Sequence, residues 1–348
     1  MYQAILAAER SVYWEVYIFA DDDMGKNFFE LLEKKAQQGV EVRVLIDGFG
    51  SFAVSKKRFQ SLHQAGVDIQ FFSERKHRYR SVWRRLIART HRKLLIIDER
   101  VGFIGGVNIQ QNMAAWLDLH VKIEGEAVRS LLRAFAKNYI ISGGKKMHVR
   151  HLLKYPVHMK KHPEQDIEFI YDDAGQQHSR ARKKYIDALL KAKKRVILFS
   201  PYYFPDKKFL YALWRARKRQ VRVDLLIPFR TDVRIATYAA YAWFSLMKKM
   251  GVHVHLSNNM MHGKGVIVDD EWAMIGSSNI NHGSFYDNYE ANVRLKHKKT
   301  VQKVKHIVEG WLQHATKLDD LEWEKRGRFQ KIKEWFAKKL YKLWHPHE

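Results

Sequence analysis

Two histidines in this chain occupy the same pattern, His-x-Lys-x-x-x-x-Asp. The residues of the two copies are His91, Lys93 and Asp98 in the first, and His262, Lys264 and Asp269 in the second. Residues two apart on a strand point the same way, so each histidine is expected to share a face with its lysine. A histidine can attack phosphorus or transfer a proton, while lysines neutralise phosphate oxygens. The two copies therefore predict phosphoryl transfer that needs no metal or other cofactor.

Small residues and an asparagine follow each copy of the pattern. The candidate phosphate-binding residues among them are Gly106 and Asn108 after the first copy, and Ser277 and Asn279 after the second. Such turns bring backbone and amide donors close to phosphate oxygens. Asp98 and Asp269 are grouped with the catalytic motif, but each falls at a strand end. At that position the two aspartates are expected to fix the turn or the lysine rather than to contact the substrate.

Two carboxylates recur in register with the histidines. Asp118 lies 27 residues after His91, and Glu290 lies 28 residues after His262. A carboxylate on one ring nitrogen fixes the tautomer of a histidine and raises its basicity. We expect both residues to orient the histidines, and the sequence leaves open which carboxylate serves which histidine.

The chain contains an internal repeat. The segment VEVRVLID at Val40–Asp47 corresponds to VRVDLLIP at Val221–Pro228, and apolar helical and strand-like segments precede both. The order in each half, helix and strand in alternation, predicts α/β layers around a largely parallel sheet. We predict halves at residues 1–155 and 156–322, with a basic amphipathic helix at 323–348.

The overall charge indicates an anionic partner. Lys and Arg outnumber Asp and Glu by 63 to 37, giving a net charge of +26, which suits nucleic acid, an acidic membrane or a phosphorylated small molecule. Cysteine is absent, which excludes disulfides, thiolate metal sites and a cysteine nucleophile. The longest apolar run, Ile235–Met247, is shorter than the roughly 18 to 20 residues that a spanning helix needs, and the first residues lack the pattern of a secretory signal.

Two basic segments are candidates for membrane contact. One is the arginine-rich stretch SERKHRYRSVWRRLIART at residues 73–90, for which a solvated surface loop is an equal alternative. The other is the tail, whose apolar residues at helical spacing are Phe329, Ile332, Phe336, Leu340 and Leu343. Lysines elsewhere on that helix predict binding to anionic lipid, with docking on the core as the alternative.

At these motifs the chain resembles the phospholipase D superfamily and, within it, the bacterial cardiolipin synthases. The resemblance rests on THRKLLIIDERVGFIGGVNI at residues 90–109, SPYYFPD at 200–206 and IGSSNINHGSFYDNYEANV at 275–293. It implies two tandem phospholipase D-like α/β/α halves related by a pseudo-twofold axis, with the active site between them and no metal. The chain departs from many members in opening without transmembrane helices, as short peripheral members do, and in having Ser277-Ser278 where Ser-Ala is more familiar.

The resemblance also implies an activity. A phosphatidyl group would pass from phosphatidylglycerol to an alcohol, a second phosphatidylglycerol, through a phosphatidyl-histidine. His91 would be the nucleophile and His262 the general acid, then base, while Lys93, Lys264 and the two asparagines bind phosphate. The implied partner is an anionic membrane of phosphatidylglycerol and cardiolipin, bound peripherally at the cytoplasmic face of a bacterial inner membrane.

A phospholipase D-type hydrolase or a nuclease of the same superfamily is the alternative, since the positive charge would also serve a DNA backbone. The aromatic residues and the interfacial tail argue against nucleic acid as partner. The sequence leaves the acceptor alcohol and the oligomeric state open.

Overall fold

The computed structural model describes residues 1–72, 88–154, 161–162, 166–321 and 323–344. The basic stretch that we considered for membrane contact lies outside them from residue 73 to residue 87. The chain forms two compact units. Unit 1 comprises residues 1–115, 120–176 and 287–293, and unit 2 comprises residues 116–119, 177–286 and 294–348. Each unit therefore includes one short segment from the opposite half of the sequence.

The first half of the chain has the alternating order that its sequence predicts. Its helices and strands are α1 (Tyr2–Leu6), β1 (Ser11–Val16), α2 (Asp23–Gln37), β2 (Glu41–Asp47), α3 (Lys56–Gln64), β3 (Asp68–Phe72), β4 (Leu94–Ile97), β5 (Val101–Gly105), β6 (His120–Glu124), α4 (Val128–Ile141), α5 (Lys146–Val149), β7 (Lys161–His162) and β8 (Ile167–Asp172).

The second half repeats this order. Its elements are α6 (Arg180–Lys191), β9 (Arg195–Phe199), α7 (Lys207–Lys218), β10 (Arg222–Pro228), α8 (Arg234–Lys249), β11 (His253–Ser257), β12 (Gly265–Val268), β13 (Trp272–Gly276), β14 (Glu290–Leu295), α9 (Lys298–Gln313), β15 (Thr316–Lys317) and α10 (Arg328–Trp344).

The sheet of unit 1 has the order β3-β2-β1-β4-β5-β6. Strands β1, β2 and β3 are parallel and are connected through helices, as predicted. Strands β4, β5 and β6 run antiparallel to their neighbours, so the expectation of a largely parallel sheet is wrong for that side. For β4 and β5 the reason is the connection, because these strands are joined by a tight turn and a short turn can join only antiparallel strands.

In unit 2, the order β11-β10-β9-β12-β13 repeats the order β3-β2-β1-β4-β5 of unit 1, and β15 is an additional strand beside β11. Strands β9, β10 and β11 are parallel, whereas β12 and β13 are antiparallel to their neighbours. The tail helix α10 packs against α8 within the same unit. No helix among the described residues is both long and apolar enough to cross a membrane.

The central strand β1 explains how the core of unit 1 is built. All six of its residues are buried, because the sheet is covered on both faces. Trp14 belongs to the apolar cluster that includes Phe29 of α2, while the Tyr13 ring lies 5.5 Å from the Phe135 ring of α4. Helices therefore fix β1 from both sides, and β1 in turn positions β4 and the histidine before it.

The division into units differs from the predicted boundary after residue 155. Strand β8 belongs to unit 1, where the Tyr171 hydroxyl lies 3.2 Å from that of Ser130 and the Asp172 carbonyl accepts a hydrogen bond from Arg92. The tail is likewise part of unit 2 by its packing. These assignments depend on long-range contacts that periodicity does not reveal.

Candidate active site

His91 is held just before β4 by a short bridge to a distant segment. The backbone N–H of His91 donates to the carbonyl of Tyr289 at 3.0 Å, and the N–H of Tyr289 donates to the carbonyl of Arg89 at 2.9 Å. The next residue, Glu290, is thereby placed beside the imidazole. Both of its carboxylate oxygens lie 3.1 Å from Nδ1 of His91.

Unit 2 builds its histidine site in the same way. The N–H of His262 donates to the carbonyl of Leu117 at 2.7 Å, and the N–H of Leu117 donates to the carbonyl of Met260 at 3.0 Å. Asp118 follows Leu117, and its Oδ2 lies 2.6 Å from Nδ1 of His262. Each histidine is thus paired with the carboxylate that comes from the opposite half of the sequence.

These contacts fix the chemistry that each ring can perform. A carboxylate at Nδ1 holds the proton there and directs Nε2 toward reaction as a nucleophile, base or acid. Burial raises the pKa of Asp118, but His262 and then Lys264 lower it more, so the net pKa falls to about 2. Asp118 is therefore ionised at every pH where the protein is expected to work, and it stabilises a positive charge on His262.

Both motif lysines are buried beside their histidines. The Lys93 ammonium donates to the His91 carbonyl at 2.7 Å and lies 5.0 Å from the centre of the Tyr17 ring. The Lys264 ammonium donates to the His262 carbonyl. The Tyr17 ring also lies 5.0 Å from the His91 ring, so one aromatic side chain contacts both members of the first motif. Each unit therefore brings a cation next to its histidine.

The candidate phosphate-binding residues follow strands β5 and β13. Gly106 and Ser277 are buried directly after these strands. Asn108 accepts a hydrogen bond from the Ile18 N–H at 3.2 Å through Oδ1, and its buried Nδ2 has no hydrogen-bond partner among the described residues. The Oδ1 of Asn279 is also buried without a partner there. Unpaired buried polar atoms cost free energy. The Nδ2 of Asn108 is a donor and is suited to an anion, whereas the Oδ1 of Asn279 is an acceptor and is suited to a donor group.

The motif aspartates bind backbone. The Asp98 carboxylate accepts hydrogen bonds from the N–H groups of three consecutive residues, Glu9, Arg10 and Ser11, at 2.7 to 3.2 Å. Asp269 accepts from the N–H groups of Lys193, Lys194 and Arg195, each at 2.8 Å.

For both groups burial raises the pKa, but the backbone hydrogen bonds lower it more, and the net pKa lies below the ordinary value. Asp98 and Asp269 also begin tight turns, with φ of 51° and 53°. They fix a hairpin and the start of β1 or β9, the kind of role that their position at the strand ends favours.

The comparisons with known proteins agree with this geometry. The family model described as "Cardiolipin synthase, PLD-like domain" matches residues 1–139 and 185–311. The chain belongs to this phospholipase D-like family. It is 34% identical to the cardiolipin synthase of Halalkalibacterium halodurans over 86% of this chain and 60% of that protein. It is 30% identical to cardiolipin synthase B of Salmonella typhi over 89% of this chain and 76% of that protein.

The chain spans 60% to 68% of the length of the first six curated relatives that it matches. Solved structures support the phospholipase D-like fold. The phosphatidylserine synthase of Haemophilus influenzae aligns with a TM-score of 0.72 at 14% identity, covering 98% of this chain and 90% of that chain. The polyphosphate kinase of Porphyromonas gingivalis aligns with a TM-score of 0.61 at 14% identity, covering 98% and 50%. At such identities the likeness shows the fold alone.

Sequence reasoning missed a buried polar cluster next to His91 of this phospholipase D-like chain. The Glu15 carboxylate accepts hydrogen bonds from the Asn138 amide at 2.7 Å and from the Thr90 hydroxyl. Burial raises the pKa of Glu15, although Arg92 opposes the effect. The cluster therefore supports the residue that precedes the histidine.

Arg92 extends this support to the partner of His91. Its Nε donates to the carbonyl of Glu290 at 3.2 Å, and its Nη2 donates to Asp173 at 2.9 Å. The guanidinium also lies 5.4 Å from the centre of the Tyr289 ring. The segment that carries Glu290 is thereby fixed by a buried cation.

The second half has apolar residues at the same positions. Glu15 pairs with the residue after Lys93, and Phe199 pairs with the residue after Lys264, so Glu15 and Phe199 are equivalent in register. Gly263 stands where the first motif has Arg92, and a Cβ there would lie 3.0 Å from the Trp311 ring. The sequence signal for this difference is Glu15, a charged residue inside the otherwise apolar strand SVYWEV, where the second half has Phe199.

Proposed function

We propose that this chain is a phosphatidyltransferase of the cardiolipin synthase type. The observation that carries the proposal is the pair of histidine–carboxylate contacts, each with a buried lysine, in a chain whose relatives are named cardiolipin synthases. The donor would be phosphatidylglycerol and the acceptor a second phosphatidylglycerol. The products would be cardiolipin and glycerol.

The proposed reaction is a double displacement. In the first step, Nε2 of His91 attacks the phosphorus of phosphatidylglycerol, the bond to the headgroup glycerol breaks, and His262 gives its proton to the departing oxygen. In the second step, His262 removes the proton from the acceptor hydroxyl, whose oxygen attacks phosphorus and breaks the phosphorus–nitrogen bond. Both histidines return to their starting protonation states.

The remaining motif residues have electrostatic tasks in this proposal. Lys93 and Lys264 would neutralise the non-bridging phosphate oxygens, with the amides of Asn108 and Asn279 and the turns at Gly106 and Ser277 as further donors. Glu290 would orient His91, and Asp118 would orient His262. Among the described residues there is no group of three or more His, Cys, Asp or Glu side chains arranged to hold a metal ion.

We further propose that the protein binds an anionic membrane peripherally, at the cytoplasmic face of a bacterial inner membrane. The net charge of +26 supports attraction to such lipids. Helix α10 docks through Glu334 and Ala337, which are buried, while its apolar residues Phe329, Ile332, Trp335 and Phe336 remain exposed. The helix therefore combines the two arrangements that its sequence left open: it packs on α8 and still presents an aromatic face.

The test is product analysis with two substrates. The protein is incubated with phosphatidylglycerol vesicles and, separately, with plasmid DNA, and the lipids and nucleic acids are resolved. We expect cardiolipin and free glycerol in equal amounts and intact plasmid. Phosphatidic acid without cardiolipin would instead indicate a hydrolase, and nicked plasmid a nuclease. A His91→Ala variant serves as the control for contaminating activity.

A further inference from the structure

Two phenylalanines protrude from the segment between β2 and α3, which we call the 48–55 loop. Phe49 is 63% exposed and Phe52 is 82% exposed. Single exposed apolar residues are common on protein surfaces, but two large aromatic side chains on one short loop favour an apolar environment outside the protein. The two residues that follow the loop, Lys56 and Lys57, are exposed cations.

The backbone of the 48–55 loop is firmly held. Asp47 Oδ1 accepts hydrogen bonds from the N–H groups of Phe49 at 2.9 Å and Gly50 at 3.0 Å. The Ser51 hydroxyl donates to the carbonyl of Tyr17 at 3.1 Å. A Cβ at Gly50 would lie 2.3 Å from that same carbonyl oxygen, so the loop and the end of β1 are in close contact. The exposed phenylalanines are thus presented on a defined scaffold.

The same anchors hold the surroundings of His91. The second carboxylate oxygen of Asp47 accepts a hydrogen bond from the N–H of Thr90 at 3.0 Å. The Arg89 guanidinium lies 4.7 Å from the centre of the Phe49 ring. The carbonyl of Tyr17 accepts the hydrogen bond from the Ser51 hydroxyl, and the Tyr17 ring packs against the His91 ring. The loop therefore shares its supports with residues on both sides of the histidine.

We propose that Phe49 and Phe52 insert into the acyl layer of an anionic lipid surface and so place a lipid phosphodiester at His91. An anionic lipid fits because the apolar residues would enter the acyl region while Lys56, Lys57 and Arg89 lie at the level of the phosphate groups. This inference rests on the proposed function, and it adds the element that orients the lipid substrate.

Direct contact is tested by a single fluorescent label. The chain has no cysteine, so Phe52→Cys provides one site for an environment-sensitive fluorophore. When the labelled protein binds phosphatidylglycerol vesicles, we expect the emission of the fluorophore to shift to the blue. We also expect this emission to be quenched by lipids that carry a quencher within the acyl chain. The matched control is Met147→Cys, which is 76% exposed. Its neighbour His148 contacts Asp68 at the start of β3, whereas the loop follows the end of the parallel strand β2. Met147 therefore lies near the opposite ends of these strands.

The contribution to turnover is tested by Phe49→Ser combined with Phe52→Ser. We expect vesicle binding and turnover of vesicle lipid to fall by about tenfold or more, because two apolar side chains no longer insert. Turnover of a water-soluble activated phosphodiester should stay unchanged, which also shows that the variant is folded. The control Met147→Ser should change neither vesicle binding nor turnover of vesicle lipid.

The outcomes separate this inference from the proposed function. An unshifted label at position 52 together with unchanged vesicle binding of the double variant would overturn the inference. A label that shifts only when a second protein is added would overturn it in favour of a protein partner. Absence of any phosphodiester turnover in the unmodified protein would instead refute the proposed function, while the label would still decide whether the loop enters lipid.

Discussion

Replacing Asp118 with asparagine tests whether this carboxylate stabilises a protonated His262. The two groups are 2.6 Å apart, and the pKa of Asp118 falls from 3.8 to about 2 although burial alone would raise it. One pKa unit corresponds to about 1.4 kcal/mol, so the fall of the Asp118 pKa corresponds to between about 2 and 3 kcal/mol. Asparagine keeps the shape and loses the charge. We therefore expect steps in which His262 donates a proton to slow by between about thirtyfold and a hundredfold.

The assay compares two leaving groups. Turnover of phosphatidylglycerol requires protonation of an alkoxide, whereas a water-soluble diester with an acidic phenol as leaving group does not. Asp118→Asn should slow the first reaction and leave the first turnover of the second nearly unchanged. The matched variant Glu290→Gln should slow both, because Glu290 orients the proposed nucleophile, His91. Equal losses on both substrates with Asp118→Asn would refute the assignment of His262 as the acid.

The same contact predicts a pH dependence of stability. The pKa of Asp118 is lower in the folded protein than in the unfolded chain, so its ionised form stabilises the fold above about pH 4. That contribution is lost as the pH falls from about 4 to about 2. The difference in the free energy of unfolding between the parent and Asp118→Asn, measured with urea, should therefore narrow as the pH falls from about 4 to about 2. A difference that widens over that range would contradict the pairing.

Three further predictions concern the metal, the tail and the nucleophile. Turnover should survive EDTA, and complete loss restored by Mg²⁺ would contradict the metal-free reaction. Replacing both Phe329 and Trp335 by serine should weaken binding to anionic vesicles without slowing the turnover of a detergent-solubilised lipid. Unchanged vesicle binding would refute the interfacial role of α10. With an activated substrate, His262→Ala should still accumulate label on the protein and His91→Ala should not; label on His262 in the latter would reverse the roles.

Much of the fold follows from local sequence patterns. The alternation of helices and strands in each half is confirmed, and so is the α/β class with two phospholipase D-like halves. The antiparallel direction of β4 to β6 was not anticipated. For the pair β4 and β5 it depends on the turn that begins at Asp98, where Asp98 and Glu99 both have positive φ, as the two central residues of a type I′ hairpin turn do. Non-glycine residues rarely adopt that conformation, so their identities gave little indication of it.

The site was predictable in its residue types but not in its pairings. The spacing pointed to Asp118 and Glu290 as partners of the histidines. The actual pairing requires each carboxylate segment to bridge the residues next to the histidine of the opposite half of the sequence, through Leu117 and Tyr289. Such exchanges depend on tertiary structure, and a repeat read along one chain suggests the opposite assignment. The buried cluster around Glu15 could not be predicted for a related reason. The role of a charged residue in an apolar strand depends on its hydrogen-bond partners, which here are Thr90 and Asn138 from other parts of the chain.

That cluster also bears on why two copies of one motif can have different roles. The first histidine is followed by Arg92, whose buried charge lies against the segment that carries Glu290. The second is followed by Gly263, which lies against the apolar rings of Phe199 and Trp311. The residue after each histidine therefore has a different environment, a charged cluster after His91 and apolar rings after His262. Identical motifs in different surroundings need not react alike, which is what separate roles as nucleophile and as proton donor require.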